Sequence, residues 1–166
     1  MDDAPDRGDS RAPEFEDLVA LCRSLEREGV RYVLIGGFAV ILHGLVRTTK
    51  DIDLLVDPSE ENVRAIKRAL GTLPDNAAAL VADGDVASYR VVRVADEIVV
   101  DLLAEACGIT WTEAIASGTE TMKIGDVAVP VAGKELLVRM KQTVRESDKA
   151  DVRFLRMRID EDLKLR

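Results

Sequence analysis

The run YVLIGGFAVILHGLVRTTKDIDLLV, Tyr32 to Val56, constrains the fold more than any other part of this chain. Its two ends are short, aliphatic and rich in β-branched residues, which reads as buried strand. Between them the pair Gly36 and Gly37 precedes Phe38 to Leu42, a stretch with no polar residue before His43 that stops at Gly44. That pattern predicts a tight turn followed by a buried helix of about two turns. Two acids, Asp51 and Asp53, open the second strand. Side chains at i and i+2 of a strand leave the same face, so the two carboxylates point together while Ile52 enters the opposite layer.

The remaining chain supplies layers to cover such a sheet. Phe15, Leu18, Val19, Cys22 and Leu25 recur at helical spacing and predict an amphipathic helix from Glu14 to Gly29. Pro58 with Glu60 and Glu61 marks the start of another, with Val63, Ile66 and Leu70 inward and Gly71 at its end. Sheet patterning follows: a possible strand at ALVA (79–82), a turn at DGD, then SYRVVRV and EIVVDLL close enough to form a hairpin around Asp96. A short helix at WTEAIA and a second hairpin from TETMKI to VAVPV come next. Two helices close the chain, Gly133 to about Arg145 with Leu136, Leu137, Met140 and Val144 inward, and about Ser147 to Ile159. The expected fold class is α/β: a mixed sheet, parallel early and antiparallel late, with helices packed on it and C-terminal helices beyond.

Adjacent carboxylates repel unless positive charge sits between them. A divalent metal supplies it, and paired aspartate oxygens suit Mg²⁺ or Mn²⁺. Taken alone, Asp-x-Asp equally fits a solvated edge strand guarded against aggregation. Gly36 and Gly37 lie where side-chain-free backbone lets N–H groups approach an anion such as a triphosphate, although a plain tight turn also needs glycine. Asp101 is a lone charge in the apolar IVVDLL run; a buried carboxylate is costly, so it wants a metal, a basic partner or an exposed strand end. His43, the sole histidine, sits in an apolar helical run and reads as a satisfied buried side chain. Trp111 and Tyr89 read as core.

This constellation, with the string GGFAVILHGLVRTTKDIDLLV and the third aspartate, resembles the nucleotidyltransferase superfamily. It is most similar to the branch of AbiEii-type abortive-infection toxins and their stand-alone relatives, over roughly Leu18 to Leu155. The resemblance implies a DNA polymerase beta-like nucleotidyltransferase fold. It further implies that Asp51, Asp53 and Asp101 hold two Mg²⁺ (or Mn²⁺) ions, with Asp101 also able to accept the acceptor's proton. An NTP would donate its NMP to a hydroxyl, with Gly36, Gly37, Arg47 and Lys141 binding its phosphates. The acceptor is open among a tRNA end, a protein and a small molecule, and a toxin would have an antitoxin. Two departures stand out. Relatives often place serine at the second position of the glycine pair, and RESDKAD replaces their compact Arg-x-Lys-Asp segment. Arg47 could instead pair with Asp51 or Asp53, Lys141 could be a solvated lysine beside an apolar stripe, and no catalytic role falls to Lys149 or Asp151. A non-catalytic NTP- or partner-binding module on the same fold is the alternative, and a two-metal phosphodiesterase leaves the glycine pair unexplained.

Composition sets the boundaries. With 166 residues, 47% hydrophobic and 33% charged, the chain has material for one domain, expected over 14–166, behind a disordered acidic leader over 1–13. Of the formal charge of -8, the first 20 residues carry -5, seven acids against Arg7 and Arg11, and the acidic balance weighs against a broadly basic nucleic-acid-binding face; from Lys134 onward bases outnumber acids, leaving room for a local stripe. Charges interrupt every apolar run short of the ~20 residues that a membrane span needs. Cys22 and Cys107, far apart and without a motif, read as buried thiols in a reducing cytoplasm.

Overall fold

The structure is a computed structural model and describes residues 10–166. Helix α1 (Phe15–Arg27) leads into β1 (Tyr32–Ile35), α2 (Gly36–Leu42), β2 (Asp51–Val56) and α3 (Glu60–Leu70). A 3-10 turn (Ala77–Leu80) and the short α4 (Asp85–Ser88) precede the hairpin β3 (Val92–Ala95) and β4 (Val99–Leu103). Then come β5 (Glu105–Ala106), β6 (Ile109–Thr110), α5 (Trp111–Ala116), β7 (Thr119–Ile124), β8 (Val127–Ala132), α6 (Lys134–Met140) and α7 (Glu146–Lys164). Six strands form one mixed sheet in the order β3-β4-β2-β1-β8-β7, with β5 and β6 as a separate small ribbon.

Alternation sorts the strands into two faces. Tyr32, Leu34, Ile52, Leu54 and Val56 point to one side and are buried, and Tyr32 lies beside Cys22 of α1, so that face is roofed by α1 with its neighbour α3. Asp51, Asp53 and Asp101 leave the other face, toward the side of α2, α6 and α7. The α/β expectation therefore holds. Parallel order early in the chain does not, because β1 and β2 are antiparallel, with Ile35 opposite Asp53. The seven residues of α2 rise only about 10 Å, and residues 43–50 run back beside it. The chain thus re-enters the sheet at the end from which it left. The parallel pairs are β2 with β4 and β1 with β8.

Four local expectations change for identifiable reasons. No strand forms at ALVA: Ala79 and Leu80 close the 3-10 turn and Val81 follows it, because buried Asp96 of the hairpin turn accepts the N–H groups of Asp75 (3.0 Å), Ala77 (2.9 Å) and Glu97 (2.8 Å). Burial alone would raise the Asp96 pKa, but these three donors hold it below the usual range. Helix α6 stops at Met140 rather than near Arg145, since Lys141 turns aside to Asp148 and Asp151; Val144, expected inward, is 88% exposed. Tyr89 is exposed rather than core, and of the two cysteines Cys22 is buried but Cys107, on the β5–β6 turn, is exposed. The acidic leader expected over residues 1–13 lies, through residue 9, outside the described residues. From there Ser10 Oγ donates to Asp96 O (2.6 Å), Arg11 N–H donates to Glu97 O (2.9 Å), and Pro13 is buried. No described helix is long and apolar enough to cross a membrane.

Candidate active site

Three carboxylates meet on neighbouring central strands. Asp53 and Asp101 stand opposite each other in the parallel β2–β4 register, and Asp51 precedes Asp53 by one full strand repeat on the same face. One oxygen from each lies within 4.8 Å of the other two. Burial, followed by the charges of Asp51 and Asp101, pushes the Asp53 carboxyl up to about 7. Asp51 is raised as well, by burial and then by Asp101, against the opposing pull of Arg93, Arg145 and Arg47. The raised Asp51 and Asp53 carboxyls mark an unmet demand for positive charge. Three hard oxygen donors at this spacing fit a divalent metal such as Mg²⁺ or Mn²⁺.

The glycine pair lies directly against this cluster. Gly36 is the first residue of α2, with φ +71, a conformation that disfavours any side chain. A Cβ there would also come within 2.8 Å of Asp53 Cγ. Gly36→Ala is therefore expected to destabilise the protein by about 2 kcal/mol or more, from left-handed strain plus overpacking, and to shift the urea unfolding midpoint accordingly. At Gly37 a Cβ would lie 2.7 Å from Thr49 Oγ1 and 3.2 Å from Arg47 Nη2. The glycine at this position thus has a local cause: the Thr49 hydroxyl already fills the space.

Arg47 and Lys141 come together through a residue to which the sequence assigned no role. Asp151, only 2% exposed, accepts from Arg47 Nη1 (2.5 Å) and pairs with Lys141 Nζ (2.9 Å). Arg47 therefore pairs with Asp151 and not with Asp51 or Asp53. Lys141, 9% exposed, is a buried lysine and not a solvated one; it also reaches Asp148 (3.4 Å), which accepts from the Thr143 hydroxyl (2.6 Å). Lys149 stays at the surface beside Glu146 (3.4 Å). His43 is buried, with Nε2 2.9 Å from Ala132 O, and packs the end of α2 against β8.

The side chain most clearly missed is Arg93 on β3, opposite Asp101 in the antiparallel β3–β4 register. Its guanidinium bonds both Asp101 oxygens (2.9 and 3.0 Å) and reaches Asp51 (3.3 Å). A signal was present: in a hairpin whose second strand carries a lone buried aspartate, a lone arginine on the first strand can sit opposite it, but only if the register brings them level. Arg93, Asp53, Asp101, Gly36, Lys141, Thr143 and Arg145 all line one open cleft of about 1700 Å³.

A mixed sheet carrying a carboxylate triad, with a glycine-opened helix beside it and helices at the C-terminal end, is the architecture of the nucleotidyltransferases. The chain belongs to the family described as "Nucleotidyl transferase of unknown function (DUF2204)", whose model matches residues 14–166. Among solved structures, a candidate nucleotidyltransferase from Thermotoga maritima superposes with a TM-score of 0.53 at 17% identity. The match covers 88% of this chain and 92% of that one, and at this identity the likeness is one of fold. No curated protein matches the chain in sequence.

Proposed function

We propose that this protein transfers a nucleoside monophosphate from an NTP to a hydroxyl acceptor, with Asp51, Asp53 and Asp101 as the metal-binding catalytic set. The observation that carries the reading is the convergence of these three carboxylates within 4.8 Å beside Gly36, with Lys141 and Arg47 grouped on the side of the glycine pair. The backbone N–H groups of Gly36 and Gly37, with Arg47 and Lys141, would bind the β- and γ-phosphates and aim the α-phosphorus at the triad. Divalent metal bound by the aspartates, two ions in this reading, would neutralise the triphosphate and lower the pKa of the attacking hydroxyl. The acceptor oxygen then bonds to the α-phosphorus, the bond to the bridging oxygen breaks, pyrophosphate leaves, and Asp101 accepts the hydroxyl proton.

The acceptor classes are a tRNA end, a protein or a small molecule. The similarity to AbiEii-type toxins adds the reading of a cytoplasmic toxin held in check by an antitoxin. Incubation with Mg²⁺ or Mn²⁺, α-labelled NTPs and, in turn, total RNA, cell protein and aminoglycosides is expected to place label on one acceptor class, with stoichiometric pyrophosphate. Label on no acceptor in any of these mixtures would defeat the enzymatic reading. For the toxin reading, expression of the chain alone is expected to slow growth, and Asp53→Ala to relieve it. Undisturbed growth moves the acceptor toward a small molecule or protein. The second reading, a non-catalytic nucleotide-binding module, draws on one observation: Arg93 already neutralises part of the triad. It predicts nucleotide-dependent thermal stabilisation without pyrophosphate release.

A further inference from the structure

We propose that Arg93 is an exchange residue: its guanidinium holds Asp101 and Asp51 as their counter-ion, and it passes to the nucleotide's phosphates when a divalent cation takes those carboxylates. This inference rests on the nucleotidyltransferase reading of the site and assigns Arg93 a role in ordering how its ligands enter.

The geometry sets up the exchange. Arg93 satisfies both oxygens of Asp101 in a forked pair (2.9 and 3.0 Å) and extends to Asp51 (3.3 Å), so one cation engages two of the three candidate metal ligands. Register enforces this, because Arg93 and Asp101 face each other across β3–β4 while Asp101 and Asp53 face each other across β4–β2. Any metal ion bonded to these oxygens would stand close to the guanidinium, and two positive centres at such range in a partly buried cleft repel strongly. The two cations therefore compete for the carboxylates.

The arginine can yield. Its side chain is 52% exposed, against 8% for Asp101, so its head faces solvent across the cleft and has room to swing. The phosphates must arrive within its reach, since the α-phosphorus has to meet the triad and other lining cations, Arg90, Lys141 and Arg145, border the same cleft. A forked guanidinium suits phosphate oxygens as well as it suits a carboxylate. Once it leaves, both Asp101 oxygens are free, one for metal ligation and one for the acceptor's proton. The consequence is coupling: metal alone meets a competitor, whereas metal with nucleotide gains a ligand for the phosphates.

The test measures binding, not turnover. Mn²⁺ affinity is followed by electron paramagnetic resonance, with and without an α,β-methylene NTP, for the wild type, Arg93→Gln and Arg93→Lys. Arg93→Gln is expected to tighten Mn²⁺ alone about tenfold and to weaken the NTP analogue at saturating Mn²⁺ about tenfold, so that, with metal-free analogue affinity unchanged, coupling between the two falls about tenfold. Arg93→Lys, which keeps the charge but loses the fork, is expected to lie between and keeps the test decisive if the glutamine variant fails to fold. Weaker binding of Mn²⁺ alone in the variants would show that Arg93 only orients Asp101, and unchanged binding would show no role; either result overturns the proposal. Loss of Mn²⁺ and analogue binding in the wild type itself would instead remove the nucleotidyltransferase reading.

Discussion

Replacing Asp53 by asparagine is expected to eliminate nucleotidyl transfer and, at the same time, to make the protein more stable at alkaline pH. The first effect follows, in the proposed reaction, from removing a carboxylate proposed to ligate the metal, with an expected loss of about 1,000-fold or more in kcat/KM. The second follows from the electrostatics of the triad. Burial and the charges of Asp51 and Asp101 raise the Asp53 carboxyl to about 7, while in the unfolded chain it titrates near ~4. Because the folded value is the higher one, the native state holds a proton that the unfolded state has released between those two pH values. The contribution of this group to stability is thus fully present below about pH 4 and is lost as pH rises through 7. Asparagine imitates the protonated form and avoids the loss. Lys141, Arg93 and the cleft's solvent temper the effect, so a gain of about 2 kcal/mol at pH 8 is expected, or roughly 4–8 °C in Tm for a chain of this size. Thermal melts of wild type and variant at pH 8 and pH 4.5 check this, since the gap should nearly close at the lower pH. Added Mn²⁺ should stabilise the wild type and not the variant. A variant no more stable than the wild type at pH 8 would mean that the triad is better compensated than its geometry indicates.

The other large effect belongs to Asp151. This carboxylate is buried and shared by Arg47 and Lys141, and removing one partner of a buried ionic group leaves charge stranded in a poorly solvated place. Asp151→Ala is expected to cost about 3–5 kcal/mol, lowering Tm by roughly 10 °C, whereas exposed pairs such as Arg158 with Glu161 should cost under about 1 kcal/mol when broken. Asp151→Asn, which keeps the shape and a hydrogen-bonding oxygen, should lose less stability. It should still weaken binding of an NTP analogue, because the cations expected to meet the phosphates are no longer drawn to a common anchor. A variant with lowered stability but unaltered analogue affinity would confine Asp151 to a structural role.

The site was partly visible in one dimension. Asp51 and Asp53 share a face by strand periodicity alone, and Gly36 and Gly37 announced a side-chain-free approach between strand and helix. Asp101 was visible as an oddity, a charge in an apolar strand. Arg93 was not, because an arginine in a hairpin strand is ordinary until the register sets it against Asp101. Asp151 was missed for a related reason: on a helix rich in acids and bases, burial distinguishes one carboxylate from the others, and burial depends on how α7 packs against α6.

Local chemistry, then, determined most of the elements, the opposite orientation of Ile52 and its flanking aspartates, and the aliphatic core, because each depends on side-chain period, capping and turn residues within a few positions. Tertiary structure alone decided that β1 and β2 run antiparallel, that Asp53 and Asp101 come level, that Arg93 closes over the triad, and that Lys141 is buried between Asp148 and Asp151. The physical reason is common to all four. Which charges become partners is set by strand register and helix packing between segments distant in the chain, and no local propensity encodes the distance between them.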